Sequence, residues 1–223
     1  MKFFRLSFVL VAMITCSNSF SQLIIDQAVN AVDGVTDVLL GAGISVSNIT
    51  SPVGTNNQIG AFSCPDCNLG IGEGIVMASG TCTGAAGPNT TSATSSVQSG
   101  FGASDPDLSM LAGGSLNDCA VIEFDFVPTG DSLAFNFVFG SEEYSEWLGY
   151  GDSFGFFISG PGIAGPYSNG GINIALIPGT STHVSVPNVN NGGSNSGRGR
   201  YCFLRYLRWE QKRACWFRVS KRC

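Results

Sequence analysis

The clearest hydrophobic pattern in the chain is an alternation of apolar and polar residues after position 119. In AVIEFDFV, residues 120–127, an isoleucine and two phenylalanines fall on one side of an extended chain, and two carboxylates fall on the other. In SLAFNFVFG, residues 132–140, a leucine and three phenylalanines again share one side. A period of two is typical of β-strands. The turn residues at 128–131 lie between the two runs, so the pattern predicts an antiparallel hairpin.

Weaker patterns predict the remaining elements. Further strands are expected at 44–49, 74–80, 153–160 and 172–179. Residues 26–40 place valines near helical spacing before Gly41, which predicts one short helix. Residues 83–119 are rich in Gly, Ser, Thr and Asn, and predict a long loop with a helical turn near DPDLSML. The fold class expected is all-β: an antiparallel, jelly-roll-like β-sandwich with a short N-terminal helix and long loops.

The first 21 residues have the pattern of a secretory signal peptide. Lys2 and Arg5 precede an apolar run, and small residues flank Phe20 just before Gln22. A lipoprotein signal ending at Cys16 is the rival interpretation, but the usual small residue before the cysteine is missing. The apolar run is shorter than the roughly 18 residues of a membrane span, and we expect no transmembrane segment. The protein is therefore predicted to be secreted or held at the cell surface.

The charge is divided unevenly along the chain. The formal net charge is −5, but residues 22–197 contain fifteen Asp and Glu and no Lys or Arg, whereas residues 198–223 carry nine of the eleven cationic side chains. A body of that charge repels phosphate backbones, which argues against a nucleic-acid partner. Its carboxylates must face water or bind cations from solution.

Four cysteines in the body are the candidate disulfide residues: Cys64, Cys67, Cys82 and Cys119. In an oxidising compartment four cysteines favour two disulfides, with three possible connectivities. The spacing Cys64-Pro65-Asp66-Cys67 leaves a zinc site or a redox pair as alternatives. A zinc site would need a second ligand pair, and a redox motif would need a βαβ unit, neither of which the pattern provides.

Several motifs, in order, resemble the choice-of-anchor L domain family. They include DVLLGAGISVSNIT, GIGEGIVMASG, SDPDL, NDCAVIEFDFVPTGDSLAFNFVFGSEEYSEW, FGFFISGPG and YSNGGINIALIPGTSTHVSVPNVN, within about residues 36–191. The resemblance implies an exported bacterial protein of the cell surface and supplies no catalytic residues.

The segment 198–223 departs from that pattern. It changes abruptly to arginine, tryptophan and cysteine where the family continues with acidic, β-forming sequence. The hypotheses are a basic tail, a genuine structural ending or a translated frameshift, and the abruptness favours the frameshift. On that interpretation the choice-of-anchor L-like domain spans residues 22–197 and lacks its last strands, and the nucleotide sequence tests it.

Enzymatic interpretations find little support in the residues. His183 is the one histidine and there is no G-x-S-x-G motif, so a Ser-His-Asp triad lacks an identifiable serine. A glycosidase needs two facing carboxyls, which would pair Glu142 or Glu143 with a distant acid such as Asp125. An extracellular carbohydrate-active hydrolase that uses the Glu142/Glu143 segment is thus the alternative function.

Calcium fits the acidic residues better, because it takes several oxygen ligands. The candidate ligands fall into two groups: Glu142, Glu143, Glu146 and Asp152, and then Asp105, Asp107 and Asp118. The alternative is that these acids only solvate loops. The sequence therefore predicts a non-catalytic exported module, stabilised by calcium, that serves adhesion to a surface glycan or protein or has a structural role.

Overall fold

The computed structural model describes residues 23–40, 44–67, 69–87, 103–128, 133–141, 151–190, 201–209 and 215–221. Within these ranges the chain forms mostly antiparallel strands and a few short helices. None of the described helices combines the length and the apolar character that a membrane crossing requires.

Eleven strands lie in the described ranges. In chain order they are β1 Ile24–Asp26, β2 Ile44–Val53, β3 Ile59–Ser63, β4 Glu73–Met77, β5 Asn117–Pro128, β6 Leu133–Gly140, β7 Ser153–Ile158, β8 Ile172–Asn173, β9 Val184–Ser185, β10 Tyr201–Trp209 and β11 Cys215–Lys221. The helices are α1 Ala31–Asp33, which continues as a π-helix over Gly34–Leu39, α2 Pro106–Ala112 and α3 Val186–Asn190.

The strands form three antiparallel sheets. The small sheet has the order β1-β3-β4, and a two-stranded sheet pairs β6 with β10. The large sheet has the order β2-β5-β11-β7-β8, with β9 also paired to β7. The predicted all-β fold class is confirmed.

Residues of the large sheet pack into a hydrophobic core on each of its faces. On one face Phe124 of β5 and Phe156 of β7 belong to the main core cluster, which also takes in Val35 of the π-helix and Ile59 of β3. On the other face Phe157 packs with residues of α2 and its surroundings, including Leu108. Successive residues of β7 therefore serve different cores, as the period of two requires.

The predicted hairpin of residues 120–140 is wrong. Both runs are strands, but β5 pairs with β2 and β11, whereas β6 pairs with β10 in a different sheet. The phenylalanines of β6 instead pack against β7: the ring centroids of Phe135 and Phe156 are 4.7 Å apart, and those of Phe137 and Phe154 are 5.1 Å apart. Alternation specifies which side of a strand is buried and leaves its pairing partner open, so the two arrangements have the same sequence pattern.

The strand predicted over 172–179 is shorter than expected. β8 ends at Asn173, whose side-chain Oδ1 accepts hydrogen bonds from the backbone N–H groups of Phe156 and Ala175 at 3.0 and 3.1 Å. This side chain replaces a backbone acceptor of the ladder, and the regular pairing stops there. The short N-terminal helix, the helical turn of DPDLSML and the strands predicted near 44–49, 74–80 and 153–160 are all present.

The arginine-rich segment 198–223 contributes two strands to this fold. The backbone of β10 pairs with β6 from Tyr201 to Trp209. The backbone of β11 lies between β5 and β7 and pairs with both. These pairings place the segment within the sheets. The frameshift, a statement about the gene, and the domain boundary at residue 197 stay predictions.

Gln58 joins the small sheet to the large one. Its fully buried side chain accepts a 2.9 Å hydrogen bond from the backbone N–H of Thr55 through Oε1, and Nε2 donates to the carbonyl of Asp118 in β5 at 2.8 Å. Nε2 also lies 3.3 and 3.4 Å from the carbonyls of Ala78 and Ser79, just after β4. One carboxamide therefore bonds to three separate stretches of backbone.

Gly54 makes room for this carboxamide. Its φ of +99° lies in the region that favours glycine. A Cβ at this position would lie 2.9 Å from Oε1 of Gln58 and 2.9 Å from the carbonyl oxygen of Cys119. The chain just after β2 can thus pass this close to Cys119 and Gln58 because residue 54 carries no side chain.

We expect Gln58→Leu to destabilise the fold strongly. Leucine has a similar volume but cannot bond to Thr55 N–H or Asp118 carbonyl, and unsatisfied buried groups of this kind cost about 2–4 kcal/mol in total. Urea unfolding followed by tryptophan fluorescence measures the loss.

Gln27→Leu is the matched control. Gln27 donates one exposed 3.1 Å hydrogen bond to the carbonyl of Asn57, so its loss should stay within about 0.5 kcal/mol. Equal losses of unfolding free energy in the two variants would show that Gln58 does not join the sheets in this way.

Candidate binding cleft

The first group of predicted calcium ligands lies largely outside the described residues. This holds for Glu142, Glu143 and Glu146. Asp152 is described and half-buried just before β7. Its Oδ2 lies 3.5 Å from the hydroxyl of Ser79, which donates to it, and its backbone carbonyl accepts from Val186 at 2.9 Å.

In the second group, two buried acids have clear structural roles. Asp105 caps α2, because its carboxylate accepts a 2.9 Å hydrogen bond from the backbone N–H of Leu108. Asp107, in the first turn of α2, accepts from both the backbone N–H and the hydroxyl of Ser168, each at 3.0 Å. Asp107 thereby attaches the loop after β7 to the helix.

Asp118 has a φ of 56° and is buried in β5, where its carbonyl bonds to Gln58. Among the described residues no three His, Cys, Asp or Glu side chains come together as metal ligands. Calcium binding by either group stays a prediction.

Asp125, the acid that a glycosidase would use opposite the Glu142/Glu143 segment, is exposed on β5. Its Oδ2 accepts a 2.7 Å hydrogen bond from the side chain of Asn48 on β2. The hydrolase alternative stays a prediction, because both glutamates lie outside the described residues.

One disulfide, between Cys64 and Cys67, lies within the described ranges. It closes the tight connection after β3. Cys82 and Cys119 are fully buried, and burial raises the pKa of the Cys82 thiol, which disfavours the nucleophilic thiolate. Cys82 is a free thiol, so the structure forms the Cys64–Cys67 bridge and not the second disulfide that was predicted.

A cleft of about 340 Å³ opens beside β8. The loop after β7 forms one wall, the loop before β9 forms the other, and α2 contributes one residue. The lining residues are Leu111, Pro166, Tyr167, Ile172, Asn173, Leu176, Ser181 and His183.

The wall that carries Tyr167 is held from three sides. Tyr167 and Gly171 exchange two backbone hydrogen bonds of 3.2 Å. The neighbouring Ser168 is fixed by Asp107, and the Tyr167 ring meets the buried ring of Phe157 edge to face, with centroids 4.6 Å apart. Tyr167 is therefore positioned before any ligand arrives.

Burial and then the negative charge of Asp107 raise the pKa of the Tyr167 hydroxyl. The phenol therefore stays protonated at neutral pH and can donate a hydrogen bond.

The wall that carries His183 is a second closed loop. His183 bridges to Leu176, and the backbone N–H of Ile177 donates to the carbonyl of Thr182 at 2.9 Å. The side-chain amide of Asn188 donates to the carbonyl of His183 at 3.0 Å and lies 3.4 Å from its Nε2. Burial lowers the pKa of His183, so the imidazole is neutral at physiological pH.

This arrangement suits binding better than proton transfer. The lining residues offer a phenol, an imidazole, a hydroxyl and an amide around apolar side chains, and none of the eight carries a full charge at neutral pH. His183 has Asn188 beside its ring, where a catalytic triad would need a carboxylate.

Comparison with known proteins places this fold in a family. The family model for the choice-of-anchor L domain matches residues 24–209. The chain belongs to the choice-of-anchor L domain family. The resemblance predicted for about residues 36–191 is confirmed over a longer stretch, which includes β10. No curated protein and no solved structure matches the chain.

Membership of the choice-of-anchor L domain family implies an exported, surface-associated and non-catalytic module. The family is not a known enzyme family. The signal peptide predicted at residues 1–21 lies outside the described residues and stays a prediction.

Sequence reasoning missed most of the cleft in this choice-of-anchor L domain. It singled out His183 only as the one histidine, and it read Tyr167 as part of a loop that joins two strands. The cleft residues lie up to 72 positions apart, from Leu111 to His183, and share no motif. For Gln58 a signal was present, because Thr55-Asn56-Asn57-Gln58 is a capping box.

We expect the stability of the domain to fall as the pH drops below about 6.5, the unfolded pKa of histidine, and to level off below the folded pKa of His183. The folded pKa is lowered, so between these two values the unfolded chain binds the proton more readily, and protonation favours unfolding. Urea unfolding at a series of pH values measures the effect.

His183→Gln is the comparison variant, and it should flatten the pH dependence between about pH 7.5 and 5.5, because no other histidine titrates there. Identical slopes for the two proteins in this interval would contradict the lowered pKa.

Proposed function

We propose that this choice-of-anchor L domain is an adhesion module that binds a surface partner through the cleft between Tyr167 and His183. The observation that carries the proposal is the cleft itself. Its two walls are closed by their own hydrogen bonds, and the backbone next to Tyr167 and at His183 is held without a ligand. A preformed cleft of this kind lowers the entropy that binding costs.

The expected sandwich is part of the proposal. The edge-to-face contact of Phe135 with Phe156 supports it, since it joins the two-stranded sheet to the large sheet across a shared core. In such an arrangement loops present the binding residues, and both cleft walls are loops.

Adhesion is tested with fluorescent beads coated with the purified chain, applied to immobilised mucin, chitin, cellulose and whole bacterial cells. We expect retention on at least one surface, well above that of albumin-coated beads. His183→Ala should reduce the retention severalfold, because it removes the imidazole from one wall of the cleft. Retention is counted after a fixed wash.

Asp125→Asn is the control, since it removes an exposed carboxylate on β5, outside the cleft. A purely structural spacer, the competing hypothesis, would give no retention on any surface. Retention that both variants leave unchanged would exclude the cleft as the adhesive site.

We also propose that calcium stabilises the domain. In support, residues 22–197 carry fifteen carboxylates and no cationic side chain to neutralise them. Saturating calcium should then raise the melting temperature by about 5–10 °C, and a chelator should reverse the rise. Thermal unfolding followed by circular dichroism measures the change.

Two variants distinguish the ligand groups. Loss of the calcium effect in the double variant Glu142→Gln/Glu143→Gln indicates the first group, and loss in Asp118→Asn indicates the second. Asp125→Asn is again the control. A melting temperature that neither calcium nor chelator changes would remove the proposal.

A further inference from the structure

The lining of the cleft has two kinds of surface close together. Leu111, Ile172 and Leu176 supply an apolar surface, and Tyr167 adds a ring that is already braced by Phe157. Polar groups lie among them: the hydroxyls of Tyr167 and Ser181, the imidazole of His183 and the amide of Asn173. A matching ligand must have apolar C–H surface and several hydroxyl groups within a few ångströms of each other.

The described lining of the cleft carries no charged side chain for a charged ligand. It contains no lysine or arginine, and the imidazole of His183 is neutral at physiological pH. The carboxylate of Asp107 acts on the Tyr167 hydroxyl. An anionic ligand would face that carboxylate, and a cationic ligand would find it already bonded to Ser168.

The size of the cleft limits the ligand. A volume of 340 Å³ corresponds to about eleven water molecules at roughly 30 Å³ each. It lies at the lower end of the roughly 300–1,000 Å³ found for small-molecule sites. One or two sugar rings match a space of this size.

Hydrogen bonds also hold β8 and the wall that carries His183 in place. Asn173 is fixed by its bonds to Phe156 and Ala175, and Asn188 holds the carbonyl of His183. Hydrogen-bonding sites with fixed positions discriminate strongly between ligands that differ by one hydroxyl group, because an unmatched buried polar group is costly.

We infer that the cleft between Tyr167 and His183 binds a neutral saccharide of one or two rings, with the Tyr167 hydroxyl and the His183 imidazole bonding to sugar hydroxyls. The inference rests on the proposed adhesive function and names its ligand class.

Titration of the full chain by ¹H–¹⁵N NMR tests the inference with three sets of probes. The neutral set is maltose, cellobiose, lactose and N,N′-diacetylchitobiose. The anionic set is their uronic-acid or sulfated counterparts, and the third set is uncharged tetrapeptides capped at both ends. We expect saturable shifts with at least one neutral disaccharide and binding at least tenfold weaker to its anionic counterpart.

Two variants locate the site. Tyr167→Phe retains the ring that packs on Phe157 and removes only the hydroxyl, and His183→Gln removes the imidazole. Each should weaken binding of the neutral disaccharide by about threefold to tenfold, which is the usual effect of one lost hydrogen bond. Asp125→Asn should leave the affinity unchanged, and melting temperatures confirm that all three variants fold.

The outcomes separate the inference from the proposed function. Three results would overturn the saccharide assignment, even where bead retention persists. They are tighter binding of an anionic sugar, binding of the peptides alone, and an affinity for the neutral disaccharide in Tyr167→Phe and His183→Gln that equals that of the unmodified chain. Absence of binding to every probe overturns it as well, and the bead assay then decides whether adhesion itself survives.

Discussion

The fold depends on one buried carboxamide. Gln58 bonds to Thr55 at the end of β2, approaches the carbonyls after β4 and donates to Asp118 in β5. It therefore ties the small sheet to the large one at a point where three chain segments meet, and its own side chain is fully buried there. Because Gly54 has no side chain, the segments can approach closely enough for one side chain to serve them all.

Polar side chains also fix the backbone of the loops that form the cleft. Asp107 fixes the loop of Tyr167, Asn173 ends β8, and Asn188 holds the carbonyl of His183. Each of these groups forms hydrogen bonds within a few residues of the cleft. Two acids that look like metal ligands in the sequence, Asp105 and Asp107, accept hydrogen bonds from the backbone of α2 and from Ser168. A carboxylate in an acidic protein can thus be required for the fold itself.

The features of the fold that depend on local interactions could be predicted from the sequence, and those that depend on non-local interactions could not. The alternation in β5 and β7 and the capping residue of α2 depend on neighbours in the chain, so the strands, the helix and the all-β class were predictable. The partner of β6 was not, since Phe135 packs equally well from a hairpin or from an opposing sheet. The family resemblance was visible in ordered motifs. The cleft was not, because topology alone brings Leu111, Tyr167 and His183 together.

The position of β11 has a consequence for how the molecule acquires its structure. It lies between β5 and β7, so within the described strands Cys215–Lys221 provides the backbone pairing that joins the two halves of the large sheet. Pairings this distant along the chain form late and slowly. The central sheet is therefore among the last parts of the fold to close, since β11 pairs with strands that lie some 60 to 100 residues before it.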